Sequence, residues 1–448
     1  MPTPIPEDES GTRVCLASLR FHPDYAGPAL RFRRYAPGLV ARGVAMNVFS
    51  GSWPEVDAAG VARHDGIADG ALLLPERVDS IPVQRVRLPA GASRRRMYLT
   101  YERALARYCL DTRPDVIQLL SPTTTLIPRL ARFRAAGIPL VYTHTMLDEA
   151  DGSLRGRLRA LHRTLPFRFM DCIVVSSGVM RDALRQDGVR GRIEVIPNGL
   201  DLKRFRPADS AAARAALRVR LGLPAEGELI VFVGGFLQHR KGIDVLADAW
   251  KLMARTRPGA RLVLVGPTRN DLRPSDTQSE FLAGVMASLE ASGALERVIF
   301  TGAVEEVEAY LQAADLFVFP SRKEGMPNVV AEAFGCGAAA ILAPFLGLPA
   351  EFGRPDHEFL LTAREPGALA EAMTHLLDRP AERERLAKSA LAWARNHLDL
   401  ERSLDRYAEL YRELAARRGT RHTEWQEGAG TRRRRGALGP GGRLRATG

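Results

Sequence analysis

Two sets of short apolar runs, each rich in β-branched residues and followed by a helix-length stretch, restrict what this 448-residue chain can fold into. The first set covers residues 14–19, 44–50, 116–120, 139–144, 172–177 and 192–197, and the second covers 229–235, 260–266, 297–302, 315–321, 338–343 and 359–363. Near-continuous apolar runs, unlike alternating ones, belong to strands covered on both faces, as in a parallel sheet flanked by helices. Helical spacing fills the gaps, as at 30–41, 101–110 and 243–255. In the last of these Ile243, Leu246, Trp250 and Met253 share one face. The pattern predicts an α/β protein of two Rossmann-like, doubly wound parallel-sheet lobes, a size the chain length allows. The expected divisions are a disordered start (1–10), an N-terminal lobe (11–203), a linker containing Pro207 and Pro224 (204–224), a C-terminal lobe (225–397), a terminal helix (398–416) and a disordered basic tail (417–448).

A parallel sheet does not by itself name a ligand. The Gly-x-Gly-x-x-Gly fingerprint is missing after the first strand of either lobe, where the chain reads RFHPDYAGPAL and GGFLQHRKG, so a nicotinamide dehydrogenase is disfavoured. No apolar run reaches the roughly 18 residues a membrane helix needs. The polar start MPTPIPEDES lacks the basic-then-apolar order of a secretory signal. Cys15, Cys109, Cys172 and Cys336 lie far apart, which reads as buried thiols in a reducing compartment, with neither a disulfide framework nor a structural zinc. These features together predict a cytoplasmic protein. Of the net charge of +12, much sits in residues 417–448, which hold nine Arg against two Glu. Two readings of this tail stand: a solvated extension, or a peripheral contact with the anionic inner leaflet of a membrane. No nucleic-acid module accompanies it, and nucleic acid is not an expected partner.

The most informative segment is FPSRKEGMPNVVAEAFGCG, which starts at Phe319. A buried strand ends there, a polar loop with Gly325 follows, and a helix opens near Met326–Asn328 with Pro327 in a first-turn position where its missing N–H costs nothing. Backbone N–H groups at such a helix start attract phosphate. Glu324 precedes the helix and Glu332 lies inside it. Carboxylates beside a phosphate site make sense as acceptors for hydroxyls on either side of a diphosphate, and a nucleotide sugar has such hydroxyls on its sugar ring and on its ribose. A second element, GGFLQHRKG from Gly234 to Gly242, places Gly235, Arg240 and Lys241 at another helix start. A basic pair is unfavourable there unless it binds an anion; the plainer alternative is a solvent-facing turn.

The segment EGMPNVVAEAFGCG resembles the Glu-x7-Glu signature of family 4 retaining glycosyltransferases (glycosyl transferases group 1). The stretches YAGPALRFRRYAPGLVARGVAMNVFS, CIVVSSGVMRDALRQDGVRGRIEVIPNGLDLKRFRP and VFVGGFLQHRKGIDVLADAW are similar to further segments of that family, in the same order. The resemblance implies a GT-B fold, two lobes facing a central cleft, with a terminal helix crossing back to the first lobe. It implies that Lys241 pairs with the donor diphosphate, Glu332 accepts the ribose hydroxyls, Glu324 holds the transferred sugar, and the amides around Gly325, Met326, Asn328 and Val329 cradle phosphate. His144 matches a sugar-contacting histidine of some members, or is an ordinary strand-end histidine; Tyr25 and Gly27 fall on the acceptor side. The implied partners are a nucleoside-diphosphate-sugar donor and a glycan, lipid-linked or small-molecule acceptor, with no cofactor. No Asp-x-Asp occurs, so no metal is expected at the diphosphate. Phe236 stands where many members carry Arg, with Arg240 as the candidate substitute. That departure keeps a second reading open, a GT-B protein that binds nucleotide sugar without transferring it.

Overall fold

The structure, a computed structural model, describes residues 11–22, 27–52, 67–146, 153–235, 237–267, 276–345, 348 and 353–435, with main chain alone at 154, 156–157, 276–279 and 418–435. In the N-terminal lobe the strands are β1 (Thr12–Ala17), β2 (Val44–Ser52), β3 (Glu76–Val78), β4 (Ile81–Arg87), β5 (Val116–Leu119), β6 (Leu140–His144), β7 (Cys172–Val175) and β8 (Ile193–Val195). They form one sheet in the order β3-β4-β2-β1-β5-β6-β7-β8, parallel except for β3. In the C-terminal lobe β9 (Leu229–Val233), β10 (Arg261–Val265), β11 (Val298–Gly302), β12 (Leu316–Phe319), β13 (Ala339–Leu342) and β14 (Leu360–Leu361) form an all-parallel sheet in the order β11-β10-β9-β12-β13-β14.

Every apolar run in the two expected sets forms a strand. In each sheet the chain winds outward in one direction and then returns to wind in the other, which leaves a switch point between β1 and β5 and another between β9 and β12. Loops leaving the carboxyl ends of the strands on either side of such a point diverge and leave a crevice. Apolar side chains cover both faces of the N-terminal sheet in separate clusters, and a single continuous cluster surrounds the C-terminal sheet. All four cysteines are buried and reduced.

Three features depart from the sequence reading. The β3–β4 hairpin was not expected. Its turn holds Asp79 and Ser80 at φ 49° and 66°, the left-handed pair that a two-residue turn requires, supplied here without the usual Asn-Gly signal. The segment expected as a linker contains the helix Ala211–Arg220, capped by Ser210, whose Oγ accepts from the Ala213 N–H at 3.1 Å. Arg214 and Arg218 of that helix hold Asp315 at 2.7 and 2.8 Å, so the segment is packed on the C-terminal lobe. Its attachment runs through arginines and not an apolar stripe, which is why periodicity did not show it. The terminal helix spans Leu400–Arg435 and so continues beyond residue 416. Ala415, Ala416 and Arg417 are good helix formers, and a Glu413–Arg417 pair at 2.6 Å bridges the end of the buried stripe.

That helix crosses to the N-terminal lobe. Tyr407, Tyr411 and Leu404 join Phe32 and Tyr35 in one apolar cluster. The Tyr411 hydroxyl donates to Gln118 Oε1 at 2.8 Å beneath the sheet, and Arg192 grips Glu413 through two nitrogens at 2.7 and 2.8 Å.

Candidate functional site

The loops after β9 and β12 leave neighbouring strands at the switch point and run side by side. Gly242 makes this approach possible: its φ is 74°, and a Cβ there would stand 2.2 Å from the carbonyl oxygen of Pro320. The Arg322 N–H donates to the Arg240 carbonyl at 2.9 Å. The Arg322 guanidinium clamps Asp244 at 2.9 and 2.7 Å, and Arg364 donates to the carbonyls of Pro320 and Ser321 at 3.2 and 3.1 Å.

These contacts set three side chains around one oxygen. Lys241 Nζ donates to Glu324 Oε1 at 2.6 Å, Ser321 Oγ donates to the same oxygen at 2.7 Å, and Arg240 Nη1 lies 3.4 Å away while donating to the Lys323 carbonyl at 2.7 Å. Lys241 is 12% exposed and Glu324 8%, and the ammonium sits 5.3 Å from the Phe319 ring centroid. Burial, with the neighbouring Arg240 charge, holds the Lys241 ammonium below the ordinary lysine range, against the opposing pull of Glu324.

The helix Asn328–Gly335 begins directly after this loop, with Pro327 in the capping position at φ −71°, ψ 112°. Of its first-turn N–H groups, that of Val330 donates to the Pro327 carbonyl at 3.1 Å, and those of Asn328 and Val329 have no partner within the helix. Asn198 ties this start to the end of the N-terminal lobe. Its Nδ2 donates to Asn328 Oδ1 at 2.7 Å and to the Met326 carbonyl at 3.3 Å, while its Oδ1 accepts from Arg31. Gly325 meets the other lobe even more closely: a Cβ there would lie 2.2 Å from the Thr145 carbonyl oxygen. The end of β6 is thus pressed against the Glu324–Gly325 turn, and beside it buried His144 shares a 2.9 Å hydrogen bond through Nδ1 with the Tyr142 hydroxyl.

Lys241, Arg240 and Glu324 therefore form one cluster. Gly325, Met326, Asn328 and Val329 continue from it, Gly235 follows the end of β9, and His144 approaches from the other lobe. Glu332 stands apart, on a cavity of about 150 Å³ between the lobes that Arg31, Arg34, Asn198 and Phe205 also line. Its Oε1 accepts from Arg34 Nη1 at 2.7 Å, so the N-terminal lobe supplies its partner. Gly27 opens the helix Gly27–Val40, which carries Arg31 and Arg34. Tyr25 and Phe236 lie outside the described residues. The sequence reading assigned no role to Ser321, Arg34, Arg364 or Asn198. Asn198 lies in the IPNGLD part of the family-like stretch CIVVSSGVMRDALRQDGVRGRIEVIPNGLDLKRFRP, which was a usable signal, whereas Arg34 and Arg364 are single arginines in an arginine-rich chain.

Residues 26–199 match the family model described as glycosyl transferase 4-like domain, and residues 227–379 match that described as glycosyl transferases group 1. The D-inositol 3-phosphate glycosyltransferase of Saccharomonospora viridis is 30% identical over 299 residues, spanning 63% of this chain and 67% of the relative. The chain belongs to the group 1 glycosyl transferases. A second relative of this glycosyl transferase, the D-inositol 3-phosphate glycosyltransferase of Acidothermus cellulolyticus, is 33% identical over 64% of this chain and 65% of its own length. Among solved structures, sucrose-phosphate synthase from Thermosynechococcus elongatus superposes with a TM-score of 0.71 at 23% identity, covering 90% of this chain and 99% of that one. Anabaena HepE, in complex with UDP-glucose, superposes with a TM-score of 0.67 at 20% identity over 90% of this chain and 99% of that one. This glycosyl transferase has the GT-B fold.

Proposed function

We propose that this enzyme is a retaining glycosyltransferase that moves a hexose-type sugar from a nucleoside-diphosphate-sugar to a hydroxyl of a glycan, lipid-linked or small-molecule acceptor, in the synthesis of cell-surface polysaccharide or glycoconjugates. The observation that carries the reading is the buried Lys241–Glu324 pair at the β9/β12 switch point, directly before a helix start. HepE, which shares the fold, is described in complex with UDP-glucose, and this supports a nucleotide-sugar donor.

As the bond from the anomeric carbon to the diphosphate breaks, negative charge grows on the leaving phosphate and positive charge on the sugar ring. Lys241 and the first-turn amides of the helix Asn328–Gly335 face the growing negative charge, and preorganised donors of this kind stabilise it without a metal clamp. Glu324 neutralises Lys241 in the resting enzyme and accepts hydroxyls of the transferred sugar when the donor is bound. Glu332 accepts the ribose hydroxyls once Arg34 has moved off it. The acceptor oxygen bonds to the anomeric carbon from the face the diphosphate leaves, and its proton passes to the departing phosphate oxygen, with His144 on the sugar from the N-terminal lobe and Gly27 and Tyr25 on the acceptor side. Lobe closure at Gly325–Thr145 keeps water from the donor. The protein works in the cytoplasm, at the inner face of the membrane where the acceptor is lipid-linked.

Thermal-shift titration against a panel of nucleoside diphosphates and their sugars tests the donor. A true ligand at about 100 times its Kd adds roughly 2.7 kcal/mol, and a panel with no responder overturns the reading. Slow donor hydrolysis that releases nucleoside diphosphate and is abolished by Glu324→Ala supports catalysis. Binding without any turnover is the outcome for the non-catalytic alternative that Phe236 favours.

A further inference from the structure

The helix Leu154–Thr164, LRGRLRALHRT, is the next described element after β6 and has no acidic residue. Leu158 and Leu161 are 58% and 51% exposed, and three residues apart they share one face. Exposed Arg155, Arg159 and His162 flank them. Arginines continue across the neighbouring elements, although Arg163 of this helix is paired with Asp187 and Arg96 with Asp69. The 3₁₀ turn Leu165–Phe169 adds exposed Arg168, and the adjoining helix Ile127–Ala135 adds exposed Arg132 and Arg134; neither element carries an acid. The helix Arg94–Thr112, next across the same sheet face, adds exposed Arg94, Arg95, Arg96, Arg103 and Arg107 against a single exposed acid, Asp111. The opposite face of the sheet is the one covered by the terminal helix.

An arginine-dense face alone fits any polyanion. Two large aliphatic side chains held in water on a helix whose charges are all positive fit an anionic bilayer instead, because the leucines enter the acyl boundary while the arginines pair with headgroup phosphates. Nucleic acid would leave the leucines no apolar partner. We propose that this N-terminal face, with Leu158 and Leu161 at its tip, docks the enzyme on an anionic phospholipid surface. Along the chain this helix is the next element after β6, beyond whose end Thr145 meets the Glu324–Gly325 turn. The inference rests on the membrane-proximal reading above and names the surface that makes the contact.

The test is co-sedimentation of the full chain with vesicles of phosphatidylcholine alone and with about 30% phosphatidylglycerol, near 0.1 M salt, where screening reaches about 10 Å. Selective binding to the anionic vesicles is expected. Arg155→Gln with Arg159→Gln should lower partitioning about 30-fold, and Leu158→Ser with Leu161→Ser about 10-fold or more. Donor hydrolysis and circular dichroism should be unchanged in both. Absence of binding to anionic vesicles overturns the membrane reading as a whole. Binding that survives both pairs of changes, and is lost only when Arg432, Arg433, Arg434 and Arg435 become Gln, overturns this surface alone. So does equally tight binding to single-stranded RNA that ignores the leucine pair.

Discussion

Lys241 combines three features: it is buried, so its charge acts strongly; it is paired, so burial is tolerable; and it lies at the β9/β12 switch point, where the proposed donor site is placed. Its partner Glu324 supplies the second, at 2.6 Å. A buried amine loses charge more readily than one in water, and the depressed pKa of Lys241 follows from that. The charged form persists below the folded pKa and is lost as pH rises through it. Donor capture, read as kcat/KM, should therefore fall on the alkaline side at a pH below the ordinary lysine value near 10.4. Lys241→Arg should erase that limb, since a guanidinium stays charged; a limb that persists in the arginine variant assigns it elsewhere. Lys241→Ala should cut kcat about 100- to 1,000-fold, the usual cost of one preorganised donor, measured as nucleoside diphosphate release.

Among the elements, the helix Ala211–Arg220 shows how a segment poor in large apolar residues can still be part of a lobe. Asp315 accepts from Arg214, from Arg218 and from the Leu229 N–H at 2.8 Å, joining this helix to β9 and to the start of β12. Burial alone would raise the Asp315 pKa, but the two guanidinium groups and the main-chain hydrogen bond outweigh it and hold the carboxyl below its usual value. A depressed acid stabilises the fold fully above its unfolded pKa, near 3.9, and the contribution disappears as pH falls through the folded value. Asp315→Ala should cost about 3–5 kcal/mol at neutral pH, because Arg218 is left buried without its counter-charge. Urea unfolding should show the gap between wild type and variant narrowing below about pH 4. A gap independent of pH would mean that packing, not charge, is what the variant lost.

At the scale of the molecule, the two lobes touch where chemistry is proposed to occur. The Gly325–Thr145 approach admits no side chain, and Arg34 and Asn198 add polar ties from the N-terminal lobe to Glu332 and Asn328. Gly325→Ala should hold the lobes apart locally. A displacement of about 1 Å between reacting groups is worth around 100-fold in rate, so kcat should fall by that order while thermal stability changes little. Small-angle scattering with nucleoside diphosphate should show less compaction than wild type. Wild-type turnover in this variant would show that closure at this point is not needed.

The β9 and β12 runs, the glycines after them and the Lys241, Glu324 and Glu332 spacing were legible because each depends on local chain chemistry: apolar continuity for buried strands, Gly where backbones approach, Pro at a helix start. Which strands lie side by side was not legible, because a short strand carries little information about its neighbour. Sheet order alone brings Lys241 and Glu324, 83 residues apart, within hydrogen-bonding distance. The partner of Glu332 was equally hidden, since Arg34 comes from another lobe 298 residues away. Local periodicity and turn chemistry thus determined the buried strands and the residue types at the site. Long-range packing, which no local pattern encodes, decided which of those residues face one another.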